Sequence, residues 1–129
     1  LQKNPDSPQL LSMFGGLLLE QKRYAEAESH MLRALALTPE DPALLNNLAW
    51  LYATAPSPVA NSAAALQLAE EAVRLKPEPF VWDTLAEAYY VNGLFEDALA
   101  AIERAIQTGS ENRDHYLRQR EKFRKALGE

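Results

Sequence analysis

The sequence predicts an all-α fold, an α-solenoid in which three helix pairs stack side by side and a capping helix follows. The chain of 129 residues repeats itself at a spacing of 34, so that Leu11 matches Leu45. Apolar residues also recur at the spacing of one helix face, as in Leu11, Phe14 and Leu18, and no segment alternates with the period of two that a strand requires. One helix pair cannot bury both of its faces, so neighbouring pairs must stack.

Capping residues, prolines and glycines mark the ends of the predicted helices. Ser7 and Asp41 each precede a proline that begins a helix, and Pro79 begins the first helix of the third pair. Gly93 and Gly109 are expected to end helices in the left-handed conformation. The predicted helices cover residues 8–21, 24–37, 42–54, 61–75, 79–91, 95–108 and 112–127.

The second repeat is longer than the other two. Thirteen steps separate Tyr52 from Ala65, whereas nine separate Leu18 from Ala27 in the first repeat. The four extra residues lie in a loop at 55–60, whose alternating prolines predict a stiff, extended, polyproline-like segment. This segment could contact a partner, but the favoured interpretation is that it bridges a longer turn between two helices. One residue is missing between Pro77 and Pro79, so the third copy begins 37 residues after the second, which is 34 plus four minus one.

The residues at matching positions resemble the tetratricopeptide repeat (TPR). This family places a large residue, a Leu, a small residue and an aromatic on the first helix, and an aromatic, two Ala positions and a Pro on or after the second. The third copy supplies Trp82, Leu85, Ala86, Tyr89, Gly93, Phe95, Ala98, Ile102 and Ala105. The resemblance covers about residues 1–110. It implies a bacterial-type TPR domain, a right-handed superhelix with an inner groove lined by the first helices.

The repeat boundaries follow from the same alignment. They are residues 1–7 for the end of a truncated preceding repeat, 8–41, 42–78 and 79–111 for three TPRs, and 112–129 for the capping helix. Because Leu1 and Pro5 match Leu35 and Pro39, we expect the chain to be a piece of a longer protein with a further repeat upstream. The face that such a repeat would cover is then exposed, and we expect that it could form a homodimer.

Residues that point away from the second helices define a predicted partner-binding groove. Trp50, Phe80 and Tyr90 are large rings that the core pattern does not require, and aromatic residues supply much of the binding energy of interfaces. Packing of Trp50 against Phe80 is the alternative. Residues 120, 121 and 124 of the last helix are expected to continue the same line. The predicted groove residues are Ser12, Leu19, Asn46, Asn47, Trp50, Phe80, Asp83, Glu87 and Tyr90.

Polar residues in this groove indicate which kind of partner it would bind. The amides of Asn46 and Asn47 can donate to and accept from a peptide backbone, as asparagines at comparable places in the TPR family do, although helix capping or a bond to the next repeat is an equal alternative. The acidic pair Asp83 and Glu87 would accept a basic or polar segment and repel a carboxylate.

Some members of the family clamp the carboxylate of a chaperone tail with Lys and Arg on these helices. The positions that are basic in that clamp are occupied in this sequence by Ser12, Gly16, Phe80 and Thr84. The resemblance therefore implies that this chain does not bind such a tail.

Composition excludes several classes of function. The chain has no Cys and only two His residues, His30 and His115, so we expect no metal site and no cofactor. Its net charge of −5 disfavours nucleic acid, and no apolar run is long enough to insert into a membrane. No nucleophile, acid–base pair or glycine-rich phosphate loop indicates an enzyme. The sequence carries no signal for a cellular compartment.

The sequence thus predicts a non-catalytic protein–protein interaction module that binds a peptide or a helix of a partner in its groove. Two alternatives stay open. The chain could be a self-associating scaffold that stacks end to end, or the regulatory tail of a larger enzyme.

Overall fold

A computed structural model describes residues 7–109 and 111–129 of the chain, and within these it contains seven α-helices and no strand. The all-α prediction is confirmed, and every helix agrees with its predicted range to within one residue at each end. Most of the predicted truncated repeat, residues 1–6, lies outside the described residues. The helices are α1 (Pro8–Glu20), α2 (Tyr24–Leu37), α3 (Pro42–Thr54), α4 (Ser62–Leu75), α5 (Pro79–Val91), α6 (Phe95–Thr108) and α7 (Arg113–Ala126).

Side-chain caps begin two of these helices. Asp41 Oδ1 accepts hydrogen bonds from the backbone N–H groups of Ala43 at 3.1 Å and Leu44 at 3.4 Å, which satisfies donors that have no partner within α3. Asn61 does the same for Ala64 at the start of α4, at 3.1 Å. The predicted cap Ser7 behaves differently, because its hydroxyl donates to the side chain of Gln9 at 2.9 Å.

The two glycines predicted to end helices have different roles. Gly93 adopts a φ of +77°, so it is left-handed as predicted. Gly109 has a φ of −129°, and the prediction of a left-handed end is wrong there. A Cβ atom at Gly109 would lie 2.7 Å from Cγ of Pro79. The glycine is therefore explained by the close approach of α6 to the start of α5, which leaves no room for a side chain.

The loop at residues 55–60 is not extended. The backbone N–H groups of Val59 and Ala60 donate to the carbonyl of Pro56 at 3.1 and 3.3 Å, and Asn61 N–H donates to the carbonyl of Tyr52 at 3.1 Å. These bonds close the four-residue insertion into a turn. Backbone hydrogen bonding at the junction of α3 and α4 outweighs the extended preference of its prolines.

The second helices pack through buried alanines, with a large residue between them in the first and third pairs and Ala69 at that position in the second. A Cβ atom on Gly15 would lie 2.7 Å from Cγ of Met31, so the glycine lets α1 and α2 approach closely. Met31 and Ile102 are fully buried in the second helices of the first and third pairs. The flanking alanines are also fully buried, at Ala27, Ala34, Ala65, Ala72, Ala98 and Ala105.

Helix α7 takes the place of the first helix of a fourth pair. Tyr116 and Phe123 follow Trp82 and Tyr89 by 34 residues, and they are 3% and 0% exposed. They anchor α7 against α6, in the way that α5 packs against α4. The capping helix therefore continues the solenoid rather than closing a bundle.

Candidate functional site

The first helices α1, α3 and α5 form one continuous side of the solenoid, which we call the inner surface. The ring of Trp50 on α3 meets the ring of His115 on α7 edge to face, with centroids 6.5 Å apart. These two helices are separated in the stack by α5. The two rings therefore meet across the surface of α5.

Side chains of α7 cover the part of the inner surface that α5 contributes. Nε2 of His115 is 2.9 Å from Oδ2 of Asp83, and Gln119 Nε2 donates to Oδ1 of Asp83 at 3.1 Å and to Oε1 of Glu87 at 3.0 Å. Lys122 Nζ donates to the same Glu87 oxygen at 2.8 Å. Both carboxylates are only 7% exposed. The prediction that Asp83 and Glu87 are open to a basic ligand therefore does not hold in this structure, because α7 supplies their partners.

Tyr90 is also held by the end of α7. Its ring lies 5.3 Å from that of Phe123 and 5.6 Å from that of Phe95. The Lys122 ammonium sits 4.5 Å from the centre of the Tyr90 ring, within the range of a cation–π contact. Tyr90 is thus a partly buried packing residue rather than a free ring on the groove.

Burial is the main influence on the titration of Asp83. It raises the pKa of this carboxyl above its ordinary value, and the nearby Glu87 carboxylate adds to the rise. The His115 ring and the Gln119 amide act in the opposite direction. The folded chain therefore binds a proton at Asp83 more tightly than the unfolded chain does.

We expect Asp83→Asn to remove a pH dependence of stability. In the parent chain, the Asp83 contribution to the free energy of unfolding falls as the pH rises from about 4 through the raised pKa, because ionisation is harder in the folded state. The variant lacks this fall, so its stability relative to the parent should increase over that pH range and then level off. Chemical denaturation at a series of pH values measures the difference. A difference that shrinks as the pH rises would contradict the expectation.

The second helix pair already has an asparagine at the position that matches Asp83. Asn46 occupies the position of Asp83 in the second pair, 37 residues earlier. It is 7% exposed, and its Oδ1 atom has no hydrogen-bond partner among the described residues. The positions of His115 and Gln119 are occupied in α5 by Val81 and Leu85, which have no polar group to offer. Because that oxygen is inaccessible, Asn46 is not on the open part of the groove.

The remaining predicted groove residues have uncharged side chains that are at least partly exposed, and we call this set the open groove. Phe80 is 41% exposed, and Trp50 is partly exposed beside His115. The described ring contacts of Trp50 involve His115 and not Phe80. The open groove consists of Ser12, Leu19, Asn47, Trp50 and Phe80, each partly or largely exposed.

The groove residues predicted on α7 lie on the wrong face of that helix. Arg120 was expected to continue the groove, but its guanidinium points to Glu103 of α6 at 3.4 Å. The residues of α7 that reach the inner surface are His115, Gln119 and Lys122. The 34-residue spacing that aligns Tyr116 with Trp82 could have predicted these residues, because it aligns them with Val81, Leu85 and Ala88.

The described residues offer no group of His, Asp and Glu side chains arranged to hold a metal ion. Over the same part of the chain, the helices are too short or too polar for any of them to cross a bilayer.

A solenoid of paired helices with an uncovered inner lining defines the class of helical repeat domains that serve as protein-interaction modules. Within this class, the tetratricopeptide repeat family model matches residues 1–42 and 12–80, which together make up more than half of the sequence. The chain belongs to the tetratricopeptide repeat family. Members of this family are generally non-catalytic interaction modules.

Solved TPR domains have the same fold. The first TPR domain of human RPAP3 has a TM-score of 0.79 and 21% identity, over 97% of this chain and 95% of that one. The first TPR of Spaghetti (RPAP3), bound to the HSP90 peptide SRMEEVD, has a TM-score of 0.79 and 20% identity, over 98% and 97%. The Sgt2 TPR domain of Aspergillus fumigatus has a TM-score of 0.78 and 22% identity, over 98% and 85%. A comparison with curated protein sequences finds no match.

Proposed function

We propose that this chain is a non-catalytic interaction domain that binds a peptide or a helix of a partner protein in its open groove. The observation that carries the proposal is the exposure of the rings of Trp50 and Phe80 on the first helices α3 and α5. Exposed rings on such a surface are typical anchors for a side chain of a partner. The fold relative that holds an HSP90 peptide supports the same general mode of binding.

The open groove favours a neutral or apolar segment over an acidic tail. Ser12, Asn47, Trp50 and Phe80 carry no charge, and His115 Nε2 and Lys122 Nζ already lie 2.9 and 2.8 Å from carboxylate oxygens of Asp83 and Glu87. A bound carboxylate would therefore have to compete with a carboxylate of the chain itself. Asn47, which is partly exposed, can pair with the backbone of the segment while the rings hold its side chains.

Selection from a displayed library of random peptides tests this proposal. We expect selected peptides to bind the parent chain and to lose at least tenfold in affinity for Trp50→Ala and for Phe80→Ala. The control is Phe14→Ala, an aromatic that is 50% exposed and is not one of the predicted groove residues. Changing Trp82 to Phe leaves Trp50 as the only indole of the chain, so its fluorescence reports binding at the groove directly.

Two results would overturn the proposal. One is a selection that enriches no peptide above a control domain. The other is a set of peptides that bind the Trp50 and Phe80 variants as tightly as the parent. End-to-end self-association, the alternative function, has less support, because α7 presents a charged stripe at that end of the solenoid. Its residues Asp114, Arg118, Glu121 and Lys125 are all exposed.

A further inference from the structure

His115 on α7 connects the covered part of the inner surface with the open groove. Its ring meets that of Trp50 edge to face, with centroids 6.5 Å apart, and its Nε2 atom lies 2.9 Å from Oδ2 of Asp83. The Asp83 carboxylate is buried, whereas 40% of the His115 side chain is exposed. One nitrogen of the ring is therefore held at a buried carboxylate, while the ring itself lies partly open beside an aromatic residue of the groove.

Core packing does not explain a histidine at this position. Leu44 on α3 and Val81 on α5 occupy the same place in the second and third pairs, and both are fully buried. The bond to Asp83 does not require a histidine either, because the amide of Gln119 donates to the same carboxylate at 3.1 Å. What an imidazole adds, compared with a leucine, a valine or an amide, is a second ring nitrogen.

This second nitrogen, Nδ1 of His115, is open to solvent. It has no hydrogen-bond partner within residues 7–109 and 111–129. In the same part of the chain, the only buried side-chain nitrogen or oxygen without a partner is Oδ1 of Asn46, so Nδ1 is not buried. A segment that contacts the ring of Trp50 can therefore reach Nδ1.

The bond to Asp83 determines which kind of bond Nδ1 can make. Once it is ionised, Asp83 can only accept hydrogen bonds, so Nε2 of His115 carries the ring proton and donates it. In a neutral imidazole the other nitrogen then has a lone pair and no proton. Nδ1 is therefore a hydrogen-bond acceptor, and its ring is held beside Trp50 by a buried partner.

We propose that Nδ1 of His115 accepts a hydrogen bond from a backbone N–H group of the segment bound in the open groove. This inference rests on the proposed function, because it concerns the same segment. It makes His115 a binding residue and Asp83 the positioning residue that fixes which ring nitrogen carries the proton. The segment then places an apolar side chain on Trp50 and presents the adjacent backbone N–H to His115. Asn47, partly exposed on α3, can bond the backbone further along.

Binding through this acceptor should weaken at low pH. Protonation of His115 places a hydrogen on Nδ1, which then donates and can no longer accept from the segment. Helix α3 has no charged residue, and Glu103 of α6 contacts Arg120 instead. The titratable and charged residues around His115 on α5 and α7 are Asp83, Glu87, Asp114, Tyr116, Arg118 and Lys122. We expect the affinity to fall from about pH 8 to about pH 5, the range in which histidines titrate.

Two substitutions of His115 separate the roles of its two nitrogens. His115→Gln can place an amide N–H where Nε2 lies, so it keeps a donor for Asp83 and removes Nδ1. His115→Asn places its amide near Nδ1 and leaves Asp83 without this donor. For library peptides that depend on Trp50, we expect the Gln variant to lose about two- to tenfold in affinity and to lose the pH dependence. The Asn variant should bind more tightly than the Gln variant and yet unfold at a lower urea concentration.

The matched control is the same substitution at the other histidine, His30→Gln. The His30 ring is also partly exposed and meets an aromatic ring, that of Phe14, at 6.3 Å, but neither residue belongs to the open groove. This variant should keep both the affinity and the pH dependence of the parent chain.

Two further measurements test the bond from each side. Replacing the backbone N–H groups of a selected peptide by N-methyl groups, one at a time, should reveal one position that weakens binding to the parent chain and not to His115→Gln. Nitrogen-15 spectra of the unbound parent at neutral pH should place the proton of His115 on Nε2, and this measurement requires neither a peptide nor a variant.

The proposal is overturned if His115→Gln, with its helices retained by circular dichroism, binds Trp50-dependent peptides as tightly as the parent does. It is equally overturned if the spectra place the proton on Nδ1. Peptides whose binding is also indifferent to Trp50→Ala would contradict the function proposed above instead, so the two failures can be distinguished.

Discussion

Phe123→Ala is expected to lower the free energy of unfolding by about 3–5 kcal/mol, the usual cost of removing a fully buried ring. Phe123 is 0% exposed and packs against Tyr90 at 5.3 Å. It is one of two aromatic anchors on a helix that is otherwise mostly charged, the other being Tyr116. Its loss should weaken the attachment of the whole of α7, and with it the cover over Asp83 and Glu87.

Urea denaturation followed by circular dichroism measures this loss. The matched control is Phe80→Ala, the same substitution at a ring that is 41% exposed, which should cost at most about 1 kcal/mol. A smaller denaturant slope for the Phe123 variant would indicate that α7 detaches before the remaining helices unfold. Equal losses for the two variants would show that α7 does not depend on this anchor.

Leu48→Ala is expected to cost about 2–5 kcal/mol, because Leu48 is 1% exposed in the main core between the first and second pairs. The comparison is with Phe14→Ala, which changes the same repeat position in the first pair, where the side chain is 50% exposed. That variant should lose at most about 1 kcal/mol. The difference between the two losses of stability measures how much burial by a preceding helix pair contributes at this position.

Both variants are best measured by denaturation at low micromolar concentration. If Phe14→Ala proved as damaging as Leu48→Ala under these conditions, the first pair would have to be packed against something that this structure does not contain.

The positions of the helices could be predicted because their signals are local. Asp41 and Asn61 accept hydrogen bonds from backbone groups within three residues, and the apolar spacing of each helix is complete within a few turns. The repeat spacing then predicted how the helices pair. The exception is Gly109, whose reason is the distant Pro79 ring, and no local pattern distinguishes it from a left-handed glycine.

The state of the groove could be predicted only in part. Trp50 and Phe80 were identified because rings outside the core pattern stand out in a sequence. Gln119 and Lys122 look like ordinary hydrated residues of a polar helix. They contact Glu87 across 32 and 35 residues of sequence, and this pairing exists only once α7 has docked.

Read alone, the 129 residues were enough to establish the all-α class, the pairing of helices and the TPR resemblance, because each depends on short-range periodicity and on a repeat that can be counted. Which inner-surface residues face water depended on the folded arrangement. Asp83 and Glu87 are buried because the side chains of α7 cover them, whereas Phe14 and Leu17 are exposed because no described helix packs on α1 from outside. Exposure is a property of neighbours in space, and the neighbours of each repeat are set by its place in the stack.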